Sequence, residues 1–200
     1  MNNRLFCMMG KSASGKDHLF RDLMQDPKLA FTPVVTYTTR PIRKKEEDGR
    51  EYFFCTEEDY AAMEREGRII EARTYQTQYG IWRYFTAEDG QIDLTSKSSL
   101  VIGTLESFQA FRAYYGEEKV IPLYIEVEDG ERLERALRRE RKQSTPGYAE
   151  MCRRFLADCE DFSEDKLMAA GIRRRFENID KEECLAELRT YILEKTGVYF

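Results

Sequence analysis

Two glycines and a lysine near the N-terminus have a spacing that can bind phosphate. Residues 10–17 read GKSASGKD, in which Gly10, Gly15 and Lys16 fit the pattern G-x-x-x-x-G-K. The glycines let backbone N–H groups turn toward phosphate oxygens, and the lysine adds a positive charge. The pattern predicts a triphosphate-binding loop, with an ordinary glycine turn as the alternative. The predicted phosphate contacts are Gly10, Ser12, Ala13, Ser14, Gly15, Lys16 and Asp17.

Asp17 departs from this pattern, which usually has Ser or Thr after the lysine. The hydroxyl at that position binds the Mg²⁺ ion that accompanies the triphosphate. A carboxylate oxygen is also a ligand that Mg²⁺ prefers. We therefore predict that Asp17 replaces the hydroxyl as the metal ligand. The alternative is an aspartate that only caps the following helix and is indifferent to metal.

The residues on either side of the loop predict a strand before it and a helix after it. LFCMM (5–9) is a short apolar run ending at Gly10, which is typical of a buried parallel strand. After Lys16, apolar side chains recur at helical spacing, at Leu19, Phe20, Leu23 and Met24. The order strand, loop, helix is the context in which the phosphate motif occurs.

The rest of the chain alternates predicted strands with predicted helices. The patterns predict strands at 33–39, 51–54, 98–104, 119–127 and 173–179, and antiparallel strands within 68–87. A capping box at 56–59 begins one helix, and Asp180 caps the last. We predict an α/β fold, with a parallel sheet flanked by helices and a ligand at the carboxyl ends of its strands. The strand-rich segment 35–87 is predicted to be an inserted, mixed or antiparallel subdomain.

Composition excludes several classes of protein. A length of 200 residues suits one domain, and 42% apolar residues are enough for a core. The net charge of −5 argues against a broad nucleic-acid-binding surface. Five scattered cysteines without a C-x-x-C pair predict reduced thiols in the cytoplasm, and no segment is long and apolar enough for a membrane span. The sequence does not indicate an oligomeric state.

A second group of residues, at 36–54, could bind another anion. The segment reads TYTTRPIRKKEEDGREYFF, with two arginines three positions apart, Arg40 and Arg43, and a tyrosine nine positions later, Tyr52. Arginine forks match the oxygens of a phosphate, and a phenol can complete the site. The alternative is a charged loop in solvent.

The order of residues in this segment resembles the GMP-binding segment of guanylate kinases, S-x-T-T-R-x-x-R-x-G-E-x-x-G-x-x-Y-x-F. The positions in register are Thr36, Thr38, Thr39, Arg40, Arg43, Glu46, Gly49, Tyr52 and Phe54. The resemblance continues at 69–71 and 79–80 and, more loosely, at 138–154 and 176–178, so that it covers most of the chain.

The resemblance implies a P-loop α/β core at 1–34 and 88–200, a nucleoside-monophosphate subdomain at 35–87 and a helical lid at about 138–154. The reaction implied is ATP + GMP ⇌ ADP + GDP, with Mg²⁺ as cofactor and the two nucleotides as small-molecule partners. Carried over by position, Arg40, Arg43, Tyr52 and Tyr79 hold the GMP phosphate, while Thr36 and Glu71 contact the base. A carboxylate suits guanine because it accepts from N1–H and the 2-amino group together. A solvent-facing strand residue is the alternative for Glu71.

The resemblance also implies catalytic cations. Lid arginines converge on the transferred phosphoryl group, and we predict this role for Arg139, Arg141 and Arg154 beside Lys16. A solvated basic face on two helices is the alternative. Positioning and positive charge account for most of phosphoryl transfer, so no general base is expected.

Besides Asp17, three positions of the predicted site depart from the family pattern. Ile81 replaces a hydroxyl residue that bonds guanine in the family, and Gly103 and Leu105 occupy acidic positions. These departures leave three hypotheses open: a GMP kinase, a P-loop kinase of the same fold with another nucleotide or a phosphorylated acceptor, and a non-catalytic guanylate-kinase-like binding module. The intact Gly10, Gly15 and Lys16 argue against the third.

Overall fold

The computed structural model describes residues 2–44, 46–77 and 80–197, which form two β-sheets and the helices around them. The elements in chain order are β1 (Leu5–Met9), α1 (Lys16–Met24), β2 (Thr32–Pro33), β3 (Tyr37–Thr38), β4 (Phe53–Phe54), α2 (Glu57–Arg65), β5 (Ile69–Thr77), β6 (Gly80–Ala87), β7 (Ser99–Ile102), α3 (Leu105–Tyr115), β8 (Val120–Glu126), α4 (Asp129–Arg141), α5 (Tyr148–Asp161), α6 (Glu164–Ala169), β9 (Arg175–Glu177) and α7 (Lys181–Thr196).

The first sheet is parallel throughout, in the order β2-β7-β1-β8-β9, which confirms the predicted α/β fold. Side chains alternate along its central strand β1: Leu5, Cys7 and Met9 belong to one buried cluster, and Phe6 and Met8 belong to another. Because both faces are covered, β1 is apolar along its whole length rather than alternating with polar residues.

Helices from different parts of the chain cover the two faces. Phe108 and Phe111 of α3 pack on the face that carries Leu5. Leu19 of α1 and Leu188 of α7 pack on the opposite face. Fully burying such a side chain stabilises the fold by about 1.5–3 kcal/mol. The sheet therefore forms a rigid platform, with the loop after β1 at its carboxyl edge.

The second sheet has the order β4-β3-β6-β5. The long β5–β6 pair is antiparallel, as predicted, whereas β3 and β4 pair in parallel. The single strand predicted at 33–39 is wrong, because the chain passes there from one sheet to the other as β2 and β3. The side chain of Gln91 bonds both the N–H (2.9 Å) and the carbonyl (3.2 Å) of Val35, which takes that residue out of either ladder.

The helix ends follow the predicted capping. Thr56 and Asp59 form a reciprocal capping box, and Asp180 accepts two backbone N–H bonds at the start of α7. Helix α6 was not predicted, since its six residues are too few to show a helical period. Helices α4 and α5, joined through 142–147, contain the segment predicted to be a lid at about 138–154 and are called the lid helices below. Among the described residues, no helix combines the length and the apolar character that a membrane crossing requires.

Candidate functional site

The phosphate loop connects β1 to α1, and its two glycines are needed for close approach. A Cβ on Gly10 would lie 2.5 Å from the carbonyl oxygen of Ile125. Gly15 has a φ of 85°, and a Cβ there would lie 2.4 Å from Nδ2 of Asn178. Both positions therefore exclude larger residues for steric reasons. The predicted strand, loop and helix are thus present in the order that brings backbone N–H groups to the carboxyl edge of the sheet.

The loop is held from beneath by the residue that follows β9. Asn178 is buried, and its side-chain N–H donates to the carbonyl of Ser14 over 2.7 Å. Ala13 has a φ of 63°, a left-handed conformation that is uncommon outside glycine. Ser14, one of the predicted phosphate contacts, is fully buried, and its N–H donates to the carbonyl of Lys11 over 3.2 Å. The loop backbone is therefore held by contacts within the chain itself.

Lys16 begins α1 and lies in a partly buried position. Burial lowers the pKa of its ammonium, and the positive charges of Arg154 and Arg139 act in the same direction. The carboxylates of Asp17 and Asp158 oppose that shift. Lys16 lies near the positive charges of Arg139 and Arg154, and a bound anion would stabilise all three charges.

The lid helices contact the phosphate loop directly. The carboxylate of Asp158 accepts the backbone N–H of Ser12 over 2.6 Å. Arg132 is 1% exposed and donates to the carbonyl of Ser12 over 3.0 Å, while Lys11 pairs with Asp129 at 3.1 Å. A lid carboxylate therefore binds a loop N–H group of the kind that binds phosphate oxygens.

Two of the three predicted lid arginines lie together. Arg139 and Arg154 line a pocket of about 250 Å³ between the lid helices that Ser12 closes at the loop end. Arg141, the last residue of α4, is exposed and lies outside that lining. Glu140 orders the turn between the helices, since its carboxylate accepts the backbone N–H of Gly147 over 3.0 Å. The structure thus brings Arg139 and Arg154 toward the loop, and not Arg141.

A cleft of about 380 Å³ separates the phosphate loop from the second sheet. Gly10, Lys16 and Asp17 line one wall. The opposite wall includes Thr36, Arg50, Tyr52, Arg73 and Tyr84. The cleft therefore joins a triphosphate-type loop to aromatic rings and arginines, a combination suited to two phosphorylated ligands.

Arg40, predicted to hold a phosphate, is engaged within the protein. It is 3% exposed, and its guanidinium forms two 2.9 Å bonds to the carboxylate of Glu46 and one of 3.1 Å to the hydroxyl of Tyr84. The hydrogen bond from Arg40 lowers the pKa of Glu46. The Arg40 guanidinium also lies 5.4 Å from the ring centre of Tyr52. Arg40 therefore positions this wall, and the neighbouring Arg43 has the exposed side chain.

Glu71, predicted to contact guanine, is also engaged. The residue is 6% exposed and does not line the cleft. Its carboxylate accepts from Thr86 over 2.9 Å, from Ser107 over 3.1 Å and from Nε of Arg73 over 3.1 Å. Arg73 lines the cleft in its place. The remaining predicted contact, Tyr79, lies outside the described residues.

The departures from the family pattern lie on β6 of the second sheet and at the junction of β7 and α3. Ile81 is 46% exposed on β6, so no buried contact requires its apolar side chain. Gly103 lines the cleft, and a Cβ there would lie 2.8 Å from Sγ of the buried Cys7. Leu105 is buried in the core cluster on one face of the parallel sheet. Two positions that are acidic in the family pattern are thus occupied here by a residue without a side chain and by a core residue.

A metal ion accompanying the triphosphate would meet carboxylates from two elements. Asp17 and Asp158 both line the cleft on the side of the phosphate loop. The described residues contain no cluster of three or more His, Cys, Asp or Glu that could hold a metal by themselves. This donor set fits Mg²⁺, which is commonly bound by one or two carboxylates together with phosphate oxygens and water.

Several residues of the site were not predicted from the sequence: Arg73, Asp129, Arg132, Asp158 and Asn178. Arg132 shares the buried face of α4 with Ala136 and Glu140. Because two of those three residues are charged, the apolar period used to find buried helix faces misses them. The four-residue spacing of Arg132, Ala136 and Glu140 is the sequence signal that indicates a shared helix face.

Comparisons with known proteins agree with this geometry. The sequence model of the guanylate kinase family matches residues 2–162. Guanylate kinases of Thermotoga maritima and Koribacter versatilis are 37% identical over 87 and 90 residues. Those alignments cover 42% and 44% of this chain but only 41% and 38% of the relatives.

A solved structure extends the similarity in fold. The guanylate kinase from Anaplasma phagocytophilum superimposes with a TM-score of 0.65 over 98% of this chain and 88% of that one, at 16% identity. The parallel sheet, the second sheet and the lid helices therefore form a known arrangement. Since the family model covers most of the sequence, the chain belongs to the guanylate kinase family.

Proposed function

We propose that this protein transfers the γ-phosphoryl group of ATP to a nucleoside monophosphate, with GMP as the preferred acceptor. One observation carries the proposal: a single cleft has the phosphate loop on one wall and the Thr36–Tyr52 region on the other. A bound triphosphate and a bound monophosphate would face each other across it. Family membership and the guanylate kinase relatives support the same reaction.

The cations near the loop supply most of the proposed chemistry. Lys16 binds the β- and γ-phosphates, and Arg139 and Arg154 stabilise charge on the transferred group. Arg141 has the least support for this role, because it lies outside the pocket that Arg139 and Arg154 line. The acceptor phosphate is assigned to Arg43, Tyr52 and Tyr79, with Arg40 holding Tyr52 in place.

Mg²⁺ fits the donor set at the loop, and we assign it to Asp17. The ion neutralises phosphate charge when bound. Asp158 must leave the N–H of Ser12 if that group is to bind a phosphate oxygen.

The expectation of a cytoplasmic location is supported by the five cysteines, all of which are free thiols.

A panel of acceptors tests the proposal. ADP production is measured with MgATP and, in parallel, GMP, AMP, UMP, CMP, dTMP or no acceptor. We expect a rate well above the acceptor-free control with GMP and little with the pyrimidines. Equal rates with and without acceptor would contradict it.

A second function, a kinase for another phosphorylated acceptor, is favoured by the engaged carboxylate of Glu71. If GMP fails while another phosphorylated compound gives saturating ADP release, this second function replaces the first. If no acceptor raises ADP production and the protein binds a peptide, the result would indicate a non-catalytic binding module.

A further inference from the structure

Where the resemblance predicts a carboxylate that contacts the base, the cleft is lined by a cation, Arg73. Each carboxylate has about four sites for hydrogen bonds. Glu71 uses them on Thr86, Ser107 and two contacts with Arg73, at 3.1 and 3.5 Å. To accept from guanine as well, Glu71 would have to release donors that satisfy a nearly fully buried charge, which costs stability.

Arg73 is held in place by this arrangement. Its Nε and one Nη2–H point to Glu71, whose carboxylate is itself fixed by two hydroxyl groups from β6 and α3. The side chain is 16% exposed and lines the cleft. Across the described residues, its three other N–H bonds have no hydrogen-bond partner. A guanidinium oriented by buried neighbours is a preorganised donor.

Guanine has an edge that matches such a donor. Its O6 and N7 both accept, and arginine pairs with them through two N–H groups. The same contact would replace the hydroxyl donor that the family has at the position of Ile81. Adenine presents an amino group in place of O6, so its donor would face the donors of Arg73.

We propose that Arg73 is a specificity-determining residue that binds 6-oxopurine nucleotides through O6 and N7, while Glu71 orients Arg73 and does not contact the 2-amino group. The inference rests on the proposed function, since it concerns the acceptor of that same cleft. It differs from the family expectation in one measurable respect: the 2-amino group of guanine becomes dispensable.

Three acceptors separate the two ways of binding the base. GMP has both the 6-oxygen and the 2-amino group, IMP has only the 6-oxygen, and 2-aminopurine riboside 5′-monophosphate has only the 2-amino group. We expect kcat/KM for IMP within about fivefold of GMP, and a loss of about 10- to 100-fold for the 2-aminopurine nucleotide, as for a lost hydrogen bond to a charged group. A loss for IMP equal to or larger than that of the 2-aminopurine nucleotide would overturn the inference.

Substitution of the arginine gives a second test. Arg73→Met should reduce the IMP to 2-aminopurine selectivity ratio by about tenfold, and Arg73→Lys should restore part of it. Arg83→Met, on the neighbouring strand and outside the cleft lining, is the matched control and should leave the ratio unchanged. An unchanged ratio in Arg73→Met overturns the inference. A ratio is insensitive to the fraction of folded enzyme.

The two proposals fail in different ways. If GMP is phosphorylated but kcat/KM is lower for IMP than for the 2-aminopurine nucleotide, the role of Arg73 is rejected and the kinase reaction stands. No turnover with any acceptor would reject the kinase reaction, and calorimetric binding of the same three nucleotides would then decide the role of Arg73 by the same ranking. Absence of both turnover and binding would reject both.

Discussion

The phosphate loop and the second sheet form opposite walls of one cleft, but they are held in different ways. The loop depends on backbone shape, with Gly10 and Gly15 too close to their neighbours to carry a side chain. The second sheet depends on charged side chains that bind each other, as Arg40 binds Glu46 and Arg73 binds Glu71. The loop wall is therefore shaped by its backbone, whereas the sheet wall uses much of its charge to hold its own shape.

This difference predicts that substitutions on the two walls affect different properties. Lys16→Met should lower kcat/KM by at least about 100-fold, because it removes a cation from the phosphates. Its effect on thermal stability should be small, since burial already disfavours the charged form of Lys16. Steady-state ADP release and a melting curve measure the two effects. The exposed Lys97→Met is the control, and a similar loss there would contradict a specific role.

The lid arginines should differ among themselves. Arg139→Ala and Arg154→Ala should each reduce kcat by about 10- to 100-fold, as for loss of a charged hydrogen bond in the transition state. Arg141→Ala should reduce it less, because Arg141 does not line the pocket beside Ser12. Arg153→Ala, next in sequence to Arg154 and paired with Glu150, serves as the control. Equal losses for Arg141 and Arg154 would show that the lid rearranges beyond the present geometry.

The contact between Asp158 and Ser12 should weaken nucleotide binding. A carboxylate beside the loop both occupies a backbone donor and repels phosphate. Asp158→Asn should therefore tighten ATP binding in EDTA by about three- to tenfold, as expected for removal of one nearby like charge in a partly exposed site. Isothermal calorimetry without acceptor measures this change. If the variant instead weakens binding only when Mg²⁺ is present, Asp158 acts as a metal ligand.

The last prediction concerns the stability of the second sheet rather than activity. Glu46→Gln should destabilise the protein by about 1–3 kcal/mol at pH 7, since the buried Arg40 loses a charged partner. The pKa of Glu46 is lowered below its ordinary value of 4.5, so its stabilising contribution is present above that value and is lost as the pH falls through the folded-state pKa. Urea unfolding of both proteins should therefore show a difference that shrinks in acid. A difference independent of pH would point to packing.

These two walls also show what the sequence could predict. The fold, the loop and most helices and strands follow from local patterns, because spacing of glycines and apolar residues acts over short distances. The partners of Glu71 do not follow from local patterns. Ser107 is 36 positions away, and although Arg73 lies two positions along the same strand, no sequence motif indicates that it binds Glu71. Family resemblance predicts direct substrate contacts for Glu71 and Arg40, and in the structure both side chains bind partners within the chain.

Helix α4 illustrates a second limit. Its buried positions include Arg132 and Glu140, which bind the phosphate loop and the turn between the lid helices. A buried charge is tolerated only where partners satisfy it, and those partners come from other elements. Patterns that identify buried positions by apolar residues therefore predict the sheet better than the lid.

The missing side chain at Gly103 has a consequence for how this sequence can change over evolutionary time. Any side chain added there would meet Cys7 at the centre of the parallel sheet. A larger residue at 103 therefore requires the Cys7 side chain to move or to be replaced by a smaller one, so changes at the two positions are coupled.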